Sequence, residues 1–283
     1  PDGTRVATVG GSSLIIWDGT TGRKLFELAD HEREAVHVEF SRDGKWLLTA
    51  ARDDIVRIRN AVDGTPVTLM RVPGKSFLRA ASLSPDNRWL LTLSDNDPAR
   101  LWHWRGTPGN YAAELHHGFD TYRVARFSAD SKTLLTLAGD YSARLWDVTT
   151  GRNLHELPHE DRINQAAFSA DGRWVVTASS DGMAILWDSS TGRRLMDFGG
   201  YDRSRTTAAF SPDGTRIATG TAWGQVLVHA CEICGSVDDL IARARSRVTR
   251  VLTAEERAKY VDARPPVDTD AARQPRARGQ THR

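Results

Sequence analysis

From His159 to Phe198 the chain reads HEDRINQAAFSADGRWVVTASSDGMAILWDSSTGRRLMDF, and this stretch decides the fold. The segment that ends at Phe168, just before Ser169, reads as a strand, because its sister segments alternate apolar residues at Val36, Val38 and Phe40 and at Ala125 and Phe127. Trp174-Val175-Val176-Thr177 makes a second strand. Ser180-Asp181-Gly182 then turns the chain, and Met183 to Trp187 makes a third. Asp188-Ser189-Ser190-Thr191-Gly192 turns it again into a fourth strand, Leu195 to Phe198.

The unit recurs outward in both directions. A threonine returns at Thr8, Thr49, Thr92, Thr136, Thr177 and Thr219, with spacings of 41, 43, 44, 41 and 42. An aspartate lies six residues before each, at Asp2, Asp43, Asp86, Asp130, Asp171 and Asp213. Nine residues before the last five stand Phe40, Leu83, Phe127, Phe168 and Phe210, each followed by a serine. Ten residues after the threonine comes Trp102, Trp146 or Trp187. Arg59 and His229 hold that slot in the second and sixth units, and Trp17 follows Thr8 by nine. Between strands, Ser211-Pro212-Asp213-Gly214 is a tight turn, with Pro presetting φ and Gly admitting a positive one. Four short strands per unit, in an array, predict an all-β architecture. A lone four-stranded sheet leaves both faces wet, and stacking sheets around an axis buries them. Counting strands gives three in the first unit, sixteen in the next four and three in the sixth, 22 in all.

Phe-Ser-x-Asp-Gly followed by Trp-Asp and Thr-Gly resembles the WD-repeat β-propellers. The dipeptides are Trp17-Asp18, Trp146-Asp147 and Trp187-Asp188, followed by Thr21-Gly22, Thr150-Gly151 and Thr191-Gly192. The resemblance covers residues 1–230 and implies a propeller. Against seven blades of four strands the 22 fall six short, which points to a propeller of seven or more blades completed by strands upstream of Pro1. The alternative is a self-closed six-blade ring with two incomplete blades and exposed strand edges. It also implies a buried structural network in each complete unit. His159, Thr177, Asp181 and Trp187 match it at offsets 0, 18, 22 and 28. His31, Thr49 and Asp53 match with Arg59 in the tryptophan slot, and His117, Thr136, Asp140 and Trp146 match with one extra residue. A His, Asp and Thr set invites a catalytic reading, but a set that recurs from unit to unit reads as structure. The third and sixth units carry Gly74 and Asn96, or Tyr201 and Trp223, in its slots, and are expected to be less rigid.

No motif asks for a cofactor. Gly74-Lys75-Ser76 mimics the end of a phosphate-binding loop, but Leu69 stands where the earlier glycine is needed. Asp53-Asp54 and Asp95-Asn96-Asp97 lack calcium-loop spacing. Cys231 and Cys234 lack a second pair for structural zinc, and read as buried thiols in a tight turn that ends the last blade.

Beyond Gly235 the period changes to that of a helix. Ser236 caps it, and Val237, Leu240, Ile241, Ala244, Val248, Val251 and Leu252 share one face. Thr253-Ala254-Glu255-Glu256 is a capping box, and Arg264-Pro265-Pro266 is a stop. Residues 231–262 are therefore expected to form a helical strap, and 263–283 a disordered tail. Cys231 to Gly235, Leu240, Leu252 to Arg257 and Tyr260 together resemble the tail that closes WD-repeat regions in actinobacterial STAND-type signalling NTPases. That resemblance implies upstream effector and NTPase domains on the same polypeptide.

The charge is nearly balanced, 38 Lys and Arg against 36 Asp and Glu. Residues 1–235 carry a net of −2 and residues 236–283 a net of +4, so the bulk is not a nucleic-acid surface. The few-residue apolar runs exclude a membrane-spanning helix, and the two cysteines and the lack of a signal peptide point to the cytoplasm.

The leading expectation is a non-enzymatic scaffold or sensor that binds a protein or peptide on its rim. Loops before each first strand and between the second and third strands contribute Phe77, Phe119, Tyr122, Tyr141, Tyr201 and Trp223, with Arg33, Arg162, Arg203 and Arg205 beside them. The alternatives are a hydrolase or lyase in the central channel, or nucleic-acid binding through residues 243–283. An enzyme would need a non-repeated cluster of His and carboxylates on the inner strands, and none is evident in the sequence.

Overall fold

The computed structural model describes residues 1–74, 77–106, 111–117, 122, 124–199, 206–221, 224–231, 234 and 241. Residues 1–234 form one compact unit and 235–283 another. Among its described residues the first unit holds six antiparallel sheets. Sheet one is β1 (Arg5–Gly10), β2 (Ser13–Asp18) and β3 (Lys24–Leu28). Sheet two is β4 (Ala35–Phe40), β5 (Trp46–Ala51), β6 (Ile55–Asn60) and β7 (Pro66–Arg71). Sheet three is β8 (Leu78–Leu83), β9 (Leu90–Ser94), β10 (Ala99–Trp102) and β11 (Ala113–Leu115). Sheet four is β12 (Val124–Phe127), β13 (Thr133–Leu137), β14 (Ser142–Asp147) and β15 (Asn153–Pro158). Sheet five is β16 (Ile163–Phe168), β17 (Trp174–Ser179), β18 (Ala184–Asp188) and β19 (Arg194–Phe198), and sheet six is β20 (Thr206–Phe210), β21 (Arg216–Thr221) and β22 (Val226–Ala230). Within each sheet, strands pair in chain order. Among the described residues the 22 strands stand where the repeat placed them, with three in each terminal sheet.

One turn device recurs through the repeat. After each first strand the serine hydroxyl donates to the aspartate two residues on, at 2.7 Å for Ser41 and Asp43 and 2.6 Å for Ser169 and Asp171. The backbone N–H of Trp46 or Trp174 donates back to the same serine oxygen, 2.9 and 3.0 Å away. The turn needs one left-handed residue, which is Gly44, Gly172 or Gly214 in three units and Asn87 or Ser131 in two.

Successive sheets are joined by five apolar cores. Leu14 and Ile16 pack with Leu47 and Ala61 between sheets one and two. Leu48, Val56 and Ile58 then meet Leu78, Leu83 and Trp102 on the opposite face of sheet two. Trp89, Leu91 and Leu101 meet Leu134 and Trp146, Leu135 and Leu145 meet Val175 and Trp187, and Val176 and Leu186 meet Ile217. Neighbouring residues such as Leu47 and Leu48 serve different cores because side chains alternate across a strand. On β22, by contrast, Val226, Leu227 and Val228 are exposed. The expected helical strap and tail, 231–262 and 263–283, lie outside the described residues except for Cys231, Cys234 and Ile241. Among the described residues no helix is long and apolar enough to cross a membrane.

One expectation is corrected here. Cys231 and Cys234 are joined as a disulfide rather than kept as thiols. The hydrogen bond from the Cys234 N–H to the Cys231 carbonyl (3.2 Å) closes a tight turn that brings the two sulfurs together, in the core shared with Phe198 and Ile217.

Candidate functional site

The repeated polar residues assemble as a chain through the middle of each complete sheet. In sheet five the Trp187 indole N–H donates to Thr177 Oγ1 (2.8 Å), Thr177 lies 2.7 Å from His159 Nε2, and His159 Nδ1 lies 2.8 Å from Asp181. Asp181 also accepts the backbone N–H groups of Met183 (2.8 Å) and Glu160 (3.1 Å), which fixes the turn after β17. With the indole already donating to Thr177, the threonine hydroxyl proton is free to point at Nε2. The network therefore assigns the His159 proton to Nδ1, facing the carboxylate.

Sheet four repeats this with Trp146, Thr136, His117 and Asp140, at 2.7 Å, 2.5 Å and 3.4 Å in turn. In sheet two, His31 lies 2.9 Å from Thr49 and 3.0 Å from Asp53. Burial lowers the pKa of all three imidazoles. That of His117 falls to about 4, with the Arg144 guanidinium adding to the effect. Burial acts to raise the Asp181 carboxyl, but donation from Met183 and His159 outweighs it and holds the group below its ordinary value. Three buried imidazoles, each held between a threonine and an aspartate, form a hydrogen-bonded frame repeated from sheet to sheet.

The tryptophan slot is broader than the sequence suggests. Arg59 is 2% exposed and donates from Nη1 to Thr49 (3.0 Å), while its Nη2 pairs with Asp30. His229 Nε2 lies 3.1 Å from Thr219, and Trp102 and Trp17 reach Thr92 and Thr8 at 2.9 and 2.8 Å. All six threonines thus meet a nitrogen from the slot. A second recurrence escaped the sequence reading: eight residues after the threonine stand Arg57, Arg100 and Arg144. Arg57 pairs with Asp53 (3.2 Å), Arg100 with Glu114 (2.8 Å) and Arg144 with Glu156 (3.2 Å). In sheet three, which lacks the histidine, Arg100 Nη1 also donates to the Pro73 carbonyl (2.6 Å).

The rim residues are distributed unevenly. Phe77 is exposed, and the Arg33 guanidinium sits 5.7 Å from its ring centroid. Tyr141 is 50% exposed with φ +62°. Arg162 is half-buried, at the entry to β16. Tyr122 is not on the rim. It is buried against His117, its hydroxyl donates to the Leu115 carbonyl, and it accepts the His117 N–H at 3.2 Å. A loop residue with a polar tip folded inward because two strand-end backbone groups offered it partners. Phe119, Tyr201, Trp223, Arg203 and Arg205 lie outside the described residues.

A non-repeated polar cluster, not seen in the sequence, lies on the first strands of sheets two and three. Glu39 on β4 accepts the Ser82 hydroxyl of β8 (3.1 Å) and lies 3.4 Å from His37 Nε2. The carboxylate stands between serine and imidazole. A hydrolytic triad needs the imidazole in the middle, so this order does not activate Ser82 as a nucleophile. The signal was in the repeat: the position ten residues before the threonine reads Glu39, Ser82, Arg126, Ala167 and Ala209.

The molecule is thus an all-β repeat array with a threonine-centred frame. A family model described as WD domain, G-beta repeat matches residues 22–60 and 151–188. The chain is 31% identical over 111 residues to DNA damage-binding protein 2 of Mus musculus, covering 37% of this chain and 26% of that protein. It is 30% identical over 92 residues to WD repeat and SOCS box-containing protein 1 of Mus musculus, 32% of this chain and 22% of the relative. Serine-threonine kinase receptor-associated protein of Gallus gallus is 28% identical over 102 residues, 36% and 29% of the two chains. The chain thus spans under a third of the length of each of these relatives. These matches support a WD-repeat propeller.

Proposed function

We propose that this chain is a non-enzymatic WD-repeat propeller that binds a protein or peptide through loops on one rim. In this reading it is the C-terminal module of a larger cytoplasmic bacterial signalling protein, with effector domains upstream and no cofactor. Further strands complete the three-stranded first and sixth sheets and close the ring. The exposed residues of β22 are consistent with that closure.

Tyr141 carries the reading. The turn between second and third strands uses a left-handed residue, five places after the repeat threonine in four sheets and at Gly11 and Asn96 in sheets one and three. Asp54, Gly182 and Gly224 fill it in sheets two, five and six. Sheet four instead spends an aromatic there, with its ring half in solvent. A bulky residue at positive φ costs on the order of 1 kcal/mol and here leaves half its surface in solvent, which favours a contact outside the chain. Phe77 with Arg33 across it supplies a second exposed anchor on the same set of loops.

The test places a photo-crosslinking amino acid at Phe77 in cells producing the intact polypeptide, and identifies the captured protein. Capture of one defined protein, lost when Tyr141→Gly is added, is the expected result. Undiminished capture in the Tyr141→Gly background, or no defined product, would overturn the assignment.

A further inference from the structure

The cavity between the first strands of sheets two, three and four differs in chemistry from the rim. It encloses about 510 Å³, within the range of small-molecule sites. Three of its polar lining residues, Glu39, Ser82 and Arg126, share one register position of the repeat, and His37 and Arg42 flank them. In sheets five and six the same position is alanine. The frame therefore does not require a polar group there, since two of its units stand without one.

The charges are arranged for a ligand that carries both signs. Glu39 has its two oxygens facing Ser82 and His37, and is about one-third exposed. Arg126 is exposed, and its guanidinium makes no ion pair or hydrogen bond among the described residues. Arg42 spans from the turn of sheet two to the Ala129 carbonyl of sheet four (3.4 Å), so a second guanidinium borders the same cavity. Two guanidiniums and one carboxylate leave an excess positive charge. An anionic group is favoured beside Arg126, and an N–H donor beside Glu39 and His37. Leu91, Leu93 and Phe127 add an apolar wall.

We propose that this cavity is a binding site for a carboxylate with an adjacent N–H and an apolar side chain, as in a free α-amino acid or the C-terminal residue of a peptide. Arg126 takes the carboxylate, Glu39 takes the N–H, and the leucine and phenylalanine wall takes the side chain. This site is separate from the rim and stands or falls independently of it.

The experiment follows amide chemical shifts of the isotope-labelled full chain on titration with L-leucine, N-acetyl-L-leucine and L-leucinamide. Leucine or its N-acetyl form should saturate at about millimolar concentration and shift residues of β4, β8 and β12. Tighter binding of leucine assigns free amino acids as the ligand, and tighter binding of N-acetyl-leucine assigns a peptide C-terminus. Leucinamide, which lacks the carboxylate, should bind at least about tenfold more weakly. Arg126→Ala should cost a similar factor while melting as the parent does, because the side chain is exposed. Leucinamide matching leucine, an Arg126→Ala chain of unchanged affinity, or no saturable shifts with either carboxylate would overturn the proposal.

Discussion

His159→Ala removes the central link of the network in sheet five, and the structure sets the size of the effect. The imidazole joins Thr177 at 2.7 Å and Asp181 at 2.8 Å, with its side chain fully buried. Asp181 keeps its two backbone donors, so the carboxylate is not stranded. The Thr177 hydroxyl is the loser. Its remaining acceptor is the Ile185 carbonyl at 3.4 Å, too long for a good bond. The oxygen still accepts the Trp187 indole N–H, but a buried hydroxyl proton left without a good acceptor costs about 1–3 kcal/mol, and the space vacated by the ring adds to it. For a domain of this size each kcal/mol is about 2–4 °C of Tm, so the variant should melt roughly 4–10 °C below the parent. His116, on the surface with its side chain 63% exposed, provides the control. His116→Ala should stay within about 0.5 kcal/mol of the parent. Thermal and urea unfolding of the three proteins decides the matter. If His159→Ala and His116→Ala unfold together with the parent, the network is not holding the sheet.

Further outcomes are expected. Because burial lowers the pKa of His31, His117 and His159, their contribution to stability is full above the unfolded value near 6.5. It should fall as pH drops toward about 4, the folded value of His117, so Tm should decline between pH 7 and 5 and decline less in His117→Gln. Arg59→Trp should keep the bond to Thr49 and stay within about 1 kcal/mol of the parent, whereas Arg59→Ala should lose about 2–4 kcal/mol by opening a buried gap, as read from urea midpoints. Tyr141→Gly should stabilise the chain by about 1 kcal/mol by relieving the left-handed tyrosine, measured in the same way. Reduction should add two hydrogens to the mass and cost about 2 kcal/mol or less, because the Cys231–Cys234 loop is short; elemental analysis should find no stoichiometric zinc.

What the sequence disclosed follows from what repeats do. A unit copied six times leaves a period, so the recurring threonine and the strands around it were legible from spacing, whereas the joining of Thr177 with His159, Asp181 and Trp187 came from the family resemblance that those offsets matched. Substitutions within a slot were less legible. Arg59 looked like a lost tryptophan because composition carries no sign that a guanidinium can donate to Thr49 while reaching back to Asp30. Tyr122 was misplaced because a loop position does not say whether the side chain turns out or in, and two backbone groups at the end of β11 settled it. Glu39, Ser82 and Arg126 lie more than 40 residues apart and share no residue type. Only their common offset before the threonine links them, and an offset whose occupants differ does not register as a repeat.

The nitrogen slot facing each repeat threonine has an evolutionary consequence. Tryptophan, arginine and histidine all satisfy the hydroxyl, so the slot is inherited as a nitrogen that reaches the hydroxyl rather than as an indole. Duplicated units can then diverge there without passing through an unfolded ancestor. Each replacement brings a different secondary trait. Arginine brings a second ion pair and sensitivity to salt, and histidine brings a smaller ring that stacks on Phe198. A gene built by copying one module acquires in this way sheets that respond unequally to the solvent around them, while the backbone that connects them stays the same.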